Sequence, residues 1–244
     1  MICAIMQPTY IPWIGYFDMI DKVDVFVFLD DVQMERRSWQ VRNRLKGANG
    51  EVWITLPVKK SKHRDLLTIS EAVLNNEEQW IKKHIKTIEL NYRNSTFFSE
   101  VFPCIKEMYN NPVSLRDFNV GIVKNIAEKI NIDTRFIYSS SLKEICGIKD
   151  DKLAAICKEI GADNYLSPQG SMGYINRNKE GGAFAENKID LFYHNYSHPI
   201  YRQQFGDFIP FMGIFDLLFN EGFGYALDII RKGRKDNIHY QSVK

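Results

Sequence analysis

The sequence predicts an α/β fold built on a mostly parallel, Rossmann-like sheet, with a helical insertion and C-terminal helices. Short apolar runs of strand length alternate with helical segments along the chain. The first of these runs is apolar on both faces, as in a parallel strand that helices cover on each side. The 244 residues, 45% of them hydrophobic and 25% charged, provide one sizeable core, so we expect a single domain over residues 1–244.

Residues 1–60 contain strand patterns and one short helix pattern. Residues 2–6 form an apolar run that ends at a proline-rich turn, and residues 25–29 are β-branched and aromatic, as in a strand. A helix over residues 14–20 connects these two strands. Residues 52–56 form a third predicted strand, which Pro57 ends.

Helical periodicity dominates the middle of the chain, where we expect a helical insertion over about residues 75–132. Apolar residues recur there at three- and four-residue spacing, from 78 to 92 and again from 115 to 130. The remaining predicted elements are strands at 135–138, 164–167 and 189–193, a helix at 151–160, and a helical segment from 214 with a glycine-rich break at 222–224.

Composition and charge exclude several classes of protein. No apolar run approaches the ~20 residues that a membrane helix needs, and the first residues lack the basic and apolar regions of a signal peptide. The cysteines are scattered, without the spacing of a zinc site. We therefore expect a cytoplasmic protein with reduced thiols, no metal site and no membrane insertion. The net charge of +2 gives no bulk attraction to nucleic acid.

Polar segments follow three of the predicted strands, at residues 7–10, 30–33 and 167–170. Ligands of parallel sheets bind beyond the carboxyl ends of the strands. If the three strands are neighbours, these segments share one edge of the sheet. The residues that we expect to contact a ligand from this edge, or close to it in sequence, are Gln7, Tyr10, Tyr16, Asp31, Gln33, Ser167, Gln169, Gly170 and Tyr174.

A basic segment from residue 36 to residue 64 is a candidate anion site. Its nine basic side chains, which only Glu51 opposes, are Arg36, Arg37, Arg42, Arg44, Lys46, Lys59, Lys60, Lys62 and Arg64. Arginine forks match phosphate and carboxylate groups, and Trp39 and Trp53 can stack on a base or sugar. We expect Arg37, Arg42 and Arg44 to hold phosphates, with Asn43 orienting the ligand. The alternative is a solvated loop whose charges pair with acids elsewhere.

Two sites are candidates for a general base. Asp30 and Asp31 follow the strongest strand pattern and can act as a base, bind a sugar hydroxyl, hold a metal, or cap a turn. His198 precedes a proline in a loop, and histidine titrates near neutrality, although a lone histidine is often structural. Tyr201 and Gln203 lie in the same loop and are candidate ligand contacts.

Several blocks of this sequence closely resemble the WbqC-like family. The blocks are AIMQPTYIPWIGYFDMI, VDVFVFLDDVQ, RSWQVRNRLKG, WITLPV, GADNYLSPQGSMGYI and HPIYRQQFGDFIPFMGIFDLLFNEG. They are long and in order, so the resemblance covers the whole chain. It implies a protein of bacterial O-antigen or other surface-polysaccharide clusters, with a glycine-transferase role suggested for the family. Gly213 departs from the family pattern, which has serine before Asp216.

The opening residues also resemble those of pantoate–β-alanine ligases, which adenylate a carboxylate and pass it to an amine. This likeness implies a nucleotidyltransferase-like fold, with ATP and Mg²⁺ as cofactors. The HxGH signature of that superfamily is absent, since no histidine precedes His63. Arginines of the basic segment would then have to stabilise the leaving phosphate. An aminoacyl-tRNA or a thioester stays open as the acyl donor.

These observations together predict an aminoacyl (glycine) or acyl transferase that forms an amide on a nucleotide-linked deoxyamino sugar. The amine must lose a proton, and His198 or Asp30 is the expected base. The alternative is a non-catalytic protein that binds a sugar nucleotide. Turnover separates the two hypotheses, because the second predicts tight binding without reaction.

Overall fold

The computed structural model confirms the mixed α/β fold with a mostly parallel central sheet. It describes residues 1–60, 66–77, 79–143, 145–177 and 179–243. Lys62 and Arg64 of the basic segment, and residue 78 at the expected start of a helix, lie outside the described residues.

The central sheet has the strand order β5-β2-β1-β6-β7-β8 within the described chain. The strands are β1 (Ile2–Met6), β2 (Val25–Phe28), β3 (Arg42–Gly47), β4 (Gly50–Thr55), β5 (Arg135–Tyr138), β6 (Asn164–Pro168), β7 (Asp190–His194) and β8 (Ile238–His239). Neighbours from β5 to β7 pair in parallel, and only the short β8 is antiparallel to its neighbour.

The helices of the described residues are α1 (Ile14–Asp21), α2 (Trp80–Tyr92), α3 (Phe98–Met108), α4 (Leu115–Lys129), α5 (Lys149–Glu159), α6 (Met172–Ile175), α7 (Gly182–Glu186) and α8 (Ile214–Lys232). Gly222 confirms the expected break in the last helix, because its φ of 78° lies outside the helical region. A Cβ at this position would also lie 2.6 Å from the Phe97 ring, so glycine alone fits here.

Helices cover both faces of the sheet, as the apolar strand patterns predict. Ala4 of β1 packs with α1, α4 and α8 in the larger core. Its neighbours Cys3 and Ile5 pack with α5 and α7 in a second core. Alternate residues of a strand point to opposite faces, so this central strand contributes to both layers.

The third expected strand, residues 52–56, corresponds to β4, which lies outside the central sheet. β4 pairs with β3 in a separate antiparallel hairpin, with Arg42 opposite Thr55 and Lys46 opposite Glu51. No strand is predicted from the sequence between residues 29 and 52, so β3 (Arg42–Gly47) is a finding of the structure. Its basic residues alternate with Asn43 and Leu45, which are buried, and this period of two is that of a strand with one covered face.

Three consecutive helices, α2, α3 and α4, lie between β4 and β5. That this stretch is an insertion, over about residues 75–132, into a single domain stays a prediction. Buried hydrogen bonds tie it to the turn after β1, because the Tyr10 hydroxyl contacts the Tyr109 hydroxyl and lies 2.9 Å from Nδ1 of His84. Among the described residues, no helix is both long and apolar enough to cross a bilayer.

The three polar segments follow strands that are adjacent in the sheet. β1 lies between β2 and β6, and both neighbours run parallel to it. Residues 7–10, 30–33 and 167–170 therefore leave the same edge, as expected. This carboxyl edge of the sheet is where the candidate site lies.

Candidate functional site

A cleft lies beyond the carboxyl ends of β1, β6 and β7. It consists of two adjoining cavities of about 330 Å³ and 220 Å³, which share Met6, Trp13 and Tyr16 as lining residues. The first cavity is also lined by Thr9, Pro12, Trp39, Asn43, Arg44 and Phe211, and the second by Gly15, Met19, Pro168, Gln169, Gly170, His194 and Tyr196. The mixture of aromatic walls with a few polar groups is typical of small-molecule sites.

Trp13 is the central wall of the cleft. Its indole makes edge contacts with the rings of Tyr196, at 5.6 Å between centroids, and Phe211, at 5.2 Å. The indole lies directly over Gly15, where a Cβ would come within 2.1 Å of a ring atom. The glycine in the first turn of α1 therefore sets the position of this wall.

A buried ionic cluster closes the base of the cleft. His194, the last residue of β7, donates from Nε2 to Oδ2 of Asp18 at 2.7 Å, and Arg234 donates to the other carboxylate oxygen. Asp18 is fully buried in α1, and His194 is 7% exposed. Because Nε2 is bound to Asp18, Nδ1 is the ring nitrogen that can meet a ligand. A carboxylate behind an imidazole orients the ring and sets which of its nitrogens carries the proton.

The hairpin of β3 and β4 places an aromatic platform beside the first cavity. Trp39 and Trp53 stack at 5.7 Å between centroids, and both are about half exposed. The Arg42 guanidinium lies 4.7 Å from the Trp53 ring, and that of Arg44 lies 5.5 Å from the Trp39 ring. Arg44 also pairs with Glu51 at 2.5 Å. Exposed indoles next to arginines can stack on a base and contact its phosphates.

Two residues of the first cavity carry polar atoms without a partner among the described residues. These atoms are Oγ1 of Thr9 and Nε of Arg44. Buried polar groups are generally hydrogen-bonded, so both atoms favour a ligand that supplies an oxygen acceptor. Protein encloses both atoms, and a ligand would reach them only after the side chains shift.

The expected base His198 lies behind Trp13 and does not line the cleft. Its ring stacks on the indole at 6.0 Å and also contacts Phe208 and Phe211. Its Nδ1 donates to the carbonyl of Pro199 at 2.8 Å, and Nε2 is buried without a partner in the described chain. Burial lowers the pKa of His198. Burial therefore favours the neutral form of the ring, which lies one ring away from the cleft.

Asp30, the other expected base, is fully buried and surrounded by donors. Its carboxylate accepts from Ser140 N at 2.9 Å, Ser140 Oγ at 2.7 Å, Ser139 Oγ at 3.1 Å and Arg116 at 3.2 Å. Asp31 pairs with Lys152 at 2.8 Å. These contacts favour a structural role for both carboxylates, which link the end of β2 to the end of β5. They also leave few oxygen lone pairs for a Mg²⁺ ion.

Tyr201 and Gln203 donate hydrogen bonds to the buried carboxylate of Asp216. Tyr201 donates its hydroxyl to Asp216 at 2.9 Å, Gln203 donates its amide at 2.7 Å, and Tyr92 donates at 3.0 Å. Burial raises the pKa of Asp216 to about 6, against the effect of these donors. Lys46, buried in β3, donates to Gln203 Oε1 at 3.0 Å. The network ties the loop before α8 to the hairpin.

The remaining expected contacts are divided between the cleft, the core and the surface. Tyr16, Asn43, Arg44, Gln169 and Gly170 line the cleft, whereas Tyr10 is fully buried and Ser167 is bound to Ser171. Gln7 accepts from Gln40 at 2.8 Å next to the Tyr16 hydroxyl.

The other expected contacts lie nearer the surface. Gln33 and Arg37 are exposed, Arg42 lies on the platform, and Tyr174 is 41% exposed. Arg37 lines a different cavity from Arg44.

The profile of the WbqC-like protein family matches residues 7–225. The chain belongs to this family. It is also 34% identical to the uncharacterized protein Rv1507c of Mycobacterium tuberculosis (strain ATCC 25618 / H37Rv), over 95% of this chain and 98% of that protein. No solved structure matches it significantly.

The blocks that carry the WbqC-like resemblance converge on the cleft. Residues 4–20 supply β1 and α1, with Trp13, Gly15 and Asp18, and residues 161–175 supply the end of β6. The loop before α8 also packs closely against the turn after β1. A Cβ at Gly213 would lie 2.9 Å from the carbonyl oxygen of Ile11, so this close approach favours glycine there. Ile11 itself has a positive φ of 46°, which is strained for a β-branched residue.

His194 and Asp18 are the functional candidates that sequence reasoning missed in this WbqC-like chain. They lie 176 positions apart, so no spacing pattern links them. A weak signal exists for each residue. His194 directly follows the predicted strand 189–193, at the carboxyl edge, and Asp18 interrupts the apolar helix 14–20.

Proposed function

We propose that this protein is an aminoacyl or acyl transferase that forms an amide on the amino group of a nucleotide-linked deoxyamino sugar, in cytoplasmic surface-polysaccharide biosynthesis. The observation that carries the proposal is the pairing of His194 with buried Asp18 at the base of an aromatic cleft. An imidazole with one nitrogen oriented by a carboxylate is suited to remove a proton from an amine.

The reaction requires a base because the neutral amine becomes positively charged as it attacks, and its nitrogen must lose one proton to give the amide. Nδ1 of His194 takes the proton as the nitrogen forms its bond to the acyl carbon. The bond from that carbon to the donor oxygen or sulfur then breaks, and the leaving group accepts the proton from the imidazolium. Asp18 stabilises the imidazolium formed between the two steps.

The nucleotide-linked amino sugar, which is the acyl acceptor, suits the cleft best with its nucleobase at the aromatic platform and its sugar at His194. The exposed Trp39 and Trp53 suit the nucleobase, and Arg42 suits the diphosphate. Arg44 is a second diphosphate contact once it exchanges its ion pair with Glu51 for the ligand. The sugar then extends past Trp13 and Tyr16 toward His194. The resemblance to pantoate–β-alanine ligases makes ATP with Mg²⁺ one route to an activated acyl group, and aminoacyl-tRNA and thioesters are the others.

The test is a mass-spectrometric turnover assay. The purified protein is mixed with nucleotide-linked 3-amino and 4-amino deoxysugars, glycine and other amino acids, with and without ATP and Mg²⁺. Charged tRNA and acyl thioesters are supplied as separate donors. We expect a mass gain of one aminoacyl or acyl unit. Saturable binding of the sugar nucleotide without a mass gain under any condition would identify a binding protein instead.

Two matched variants separate the candidate bases. We expect His194→Asn to lower kcat by at least about 100-fold, the lower range for general base catalysis, with KM for the sugar nucleotide nearly unchanged. His198→Asn is the control, because that ring lies behind Trp13. The reverse result, with turnover lost only in His198→Asn, would assign the base to His198.

A further inference from the structure

A second cavity, separate from the cleft, combines a basic rim with an apolar floor. Its volume is about 250 Å³, and its basic residues are Arg36, Arg37, Lys59 and Lys60. Its apolar residues are Met34, Val41, Leu56, Val58 and Leu67. Among the described residues, it shares no lining residue with the cleft. We refer to it as the basic cavity.

The positive charges of the basic cavity are not neutralised within the described chain. None of its four basic side chains forms an ion pair with a described carboxylate. Arg44 on the neighbouring hairpin, by contrast, is paired with Glu51. Like charges that converge on one cavity repel each other and attract an anion.

Backbone hydrogen bonds fix the segments that form this cavity. Leu56 N donates to the Val41 carbonyl at 2.7 Å, Met34 N to Leu67 at 2.8 Å, and Lys59 N to Val73 at 2.9 Å. The Met34 and Leu56 side chains are buried and form a firm floor. A fixed floor with a charged rim selects a ligand by shape as well as by charge.

We propose that the basic cavity binds a small ligand with an apolar body and a phosphate or carboxylate group. The apolar floor would bury the body, and the arginine and lysine groups would hold the anion. A bare inorganic anion leaves the floor empty, and a nucleic-acid backbone offers no apolar body to fill it. The proposal does not depend on the transferase function, because no residue of the cleft takes part.

Isothermal titration calorimetry with hexyl phosphate and hexanoate tests this proposal. We expect at least one of them to bind the full-length protein with one-to-one stoichiometry, at least about tenfold more tightly than inorganic phosphate or hexanol. The preferred probe identifies the anionic group as phosphate or carboxylate. Absence of saturable binding by both probes would overturn the proposal.

Charge variants show whether the probe binds at the basic cavity. We expect Arg36→Gln/Lys59→Gln to weaken binding by at least about tenfold, since two charge-assisted contacts are lost. Lys83→Gln/Lys158→Gln removes the same charge from exposed helix positions and should leave the affinity unchanged. Equal affinities for the wild type and Arg36→Gln/Lys59→Gln would refute the site. Tighter binding of a short single-stranded RNA than of either probe would indicate a nucleic-acid surface instead.

Discussion

Gly15 decides where the Trp13 indole lies, so a single methyl group there should disrupt the cleft. A Cβ would come within 2.1 to 2.5 Å of ring atoms of Trp13. Alanine improves helix propensity by up to about 1 kcal/mol, but displacing a packed indole costs about 1–3 kcal/mol. We therefore expect Gly15→Ala to lower the free energy of unfolding, measured in urea, and to weaken binding of the nucleotide-linked amino sugar at least tenfold.

Gly121→Ala is the matched control for this change. Gly121 also lies in a helix, α4, but a Cβ there meets no atom of the described residues within 4 Å. The same substitution should raise the free energy of unfolding by about 0.5–1 kcal/mol. Loss of stability in both variants would show that the indole contact is not the cause.

His84 makes the stability of the helices α2 to α4 depend on pH. Burial lowers the pKa of His84 to about 4, although a hydrogen bond to the Thr55 backbone opposes this shift. The ordinary value near 6.5 applies to the unfolded chain, which therefore binds a proton that the folded chain does not. The stabilisation is present above about pH 6.5 and is lost as the pH falls toward 4.

The variant His84→Gln tests this dependence while keeping an acceptor for the Tyr10 hydroxyl, which lies 2.9 Å from the His84 ring. From pH 7 to pH 4 we expect the free energy of unfolding of the wild type to fall by up to about 3 kcal/mol more than that of the variant. Urea unfolding at several pH values measures the free energy of both proteins. All other titratable groups are present in both, so the difference isolates His84. Parallel curves would contradict the proposed titration of His84.

Elements with one clear periodicity could be predicted from the sequence, and elements with mixed signals could not. β5 has the expected bounds, and α1 differs from its prediction by one residue. The bounds of α3 could not be predicted because Pro103 lies inside it, and proline normally ends a helix. β3 was obscured by its charge, since Arg42, Arg44 and Lys46 suggested a solvated loop.

The candidate site follows the same division. The sheet edge could be predicted, because it needs only the order of strands and their carboxyl ends. The pairing of His194 with Asp18 could not, because it depends on how α1 packs against the end of β7. Likewise, nothing in the sequence separates Arg37 from Arg44, yet the fold of the hairpin places them in different cavities.

At the scale of the whole molecule, the sheet separates two cores that differ in size. The larger core includes α1, α2, α3, α4 and α8, and the smaller one lies under α5 and α7. Cys3 of β1 and Cys157 of α5 contact each other within the smaller core, as fully buried free thiols with 3.5 Å between sulfurs. The rate at which these two thiols are alkylated therefore shows whether the helices on the two faces of the sheet open together.

We expect both buried thiols to react only through global unfolding, because uncovering Cys3 removes α5 from the central strand. Labelling with iodoacetamide, followed by mass spectrometry, should modify the exposed Cys146 rapidly. The opening free energies of Cys3 and Cys157 should equal the global free energy of unfolding and fall equally with urea. If both thiols react faster than global unfolding allows, with a weaker dependence on urea, the α5 layer opens by itself and leaves the cleft side of the sheet folded.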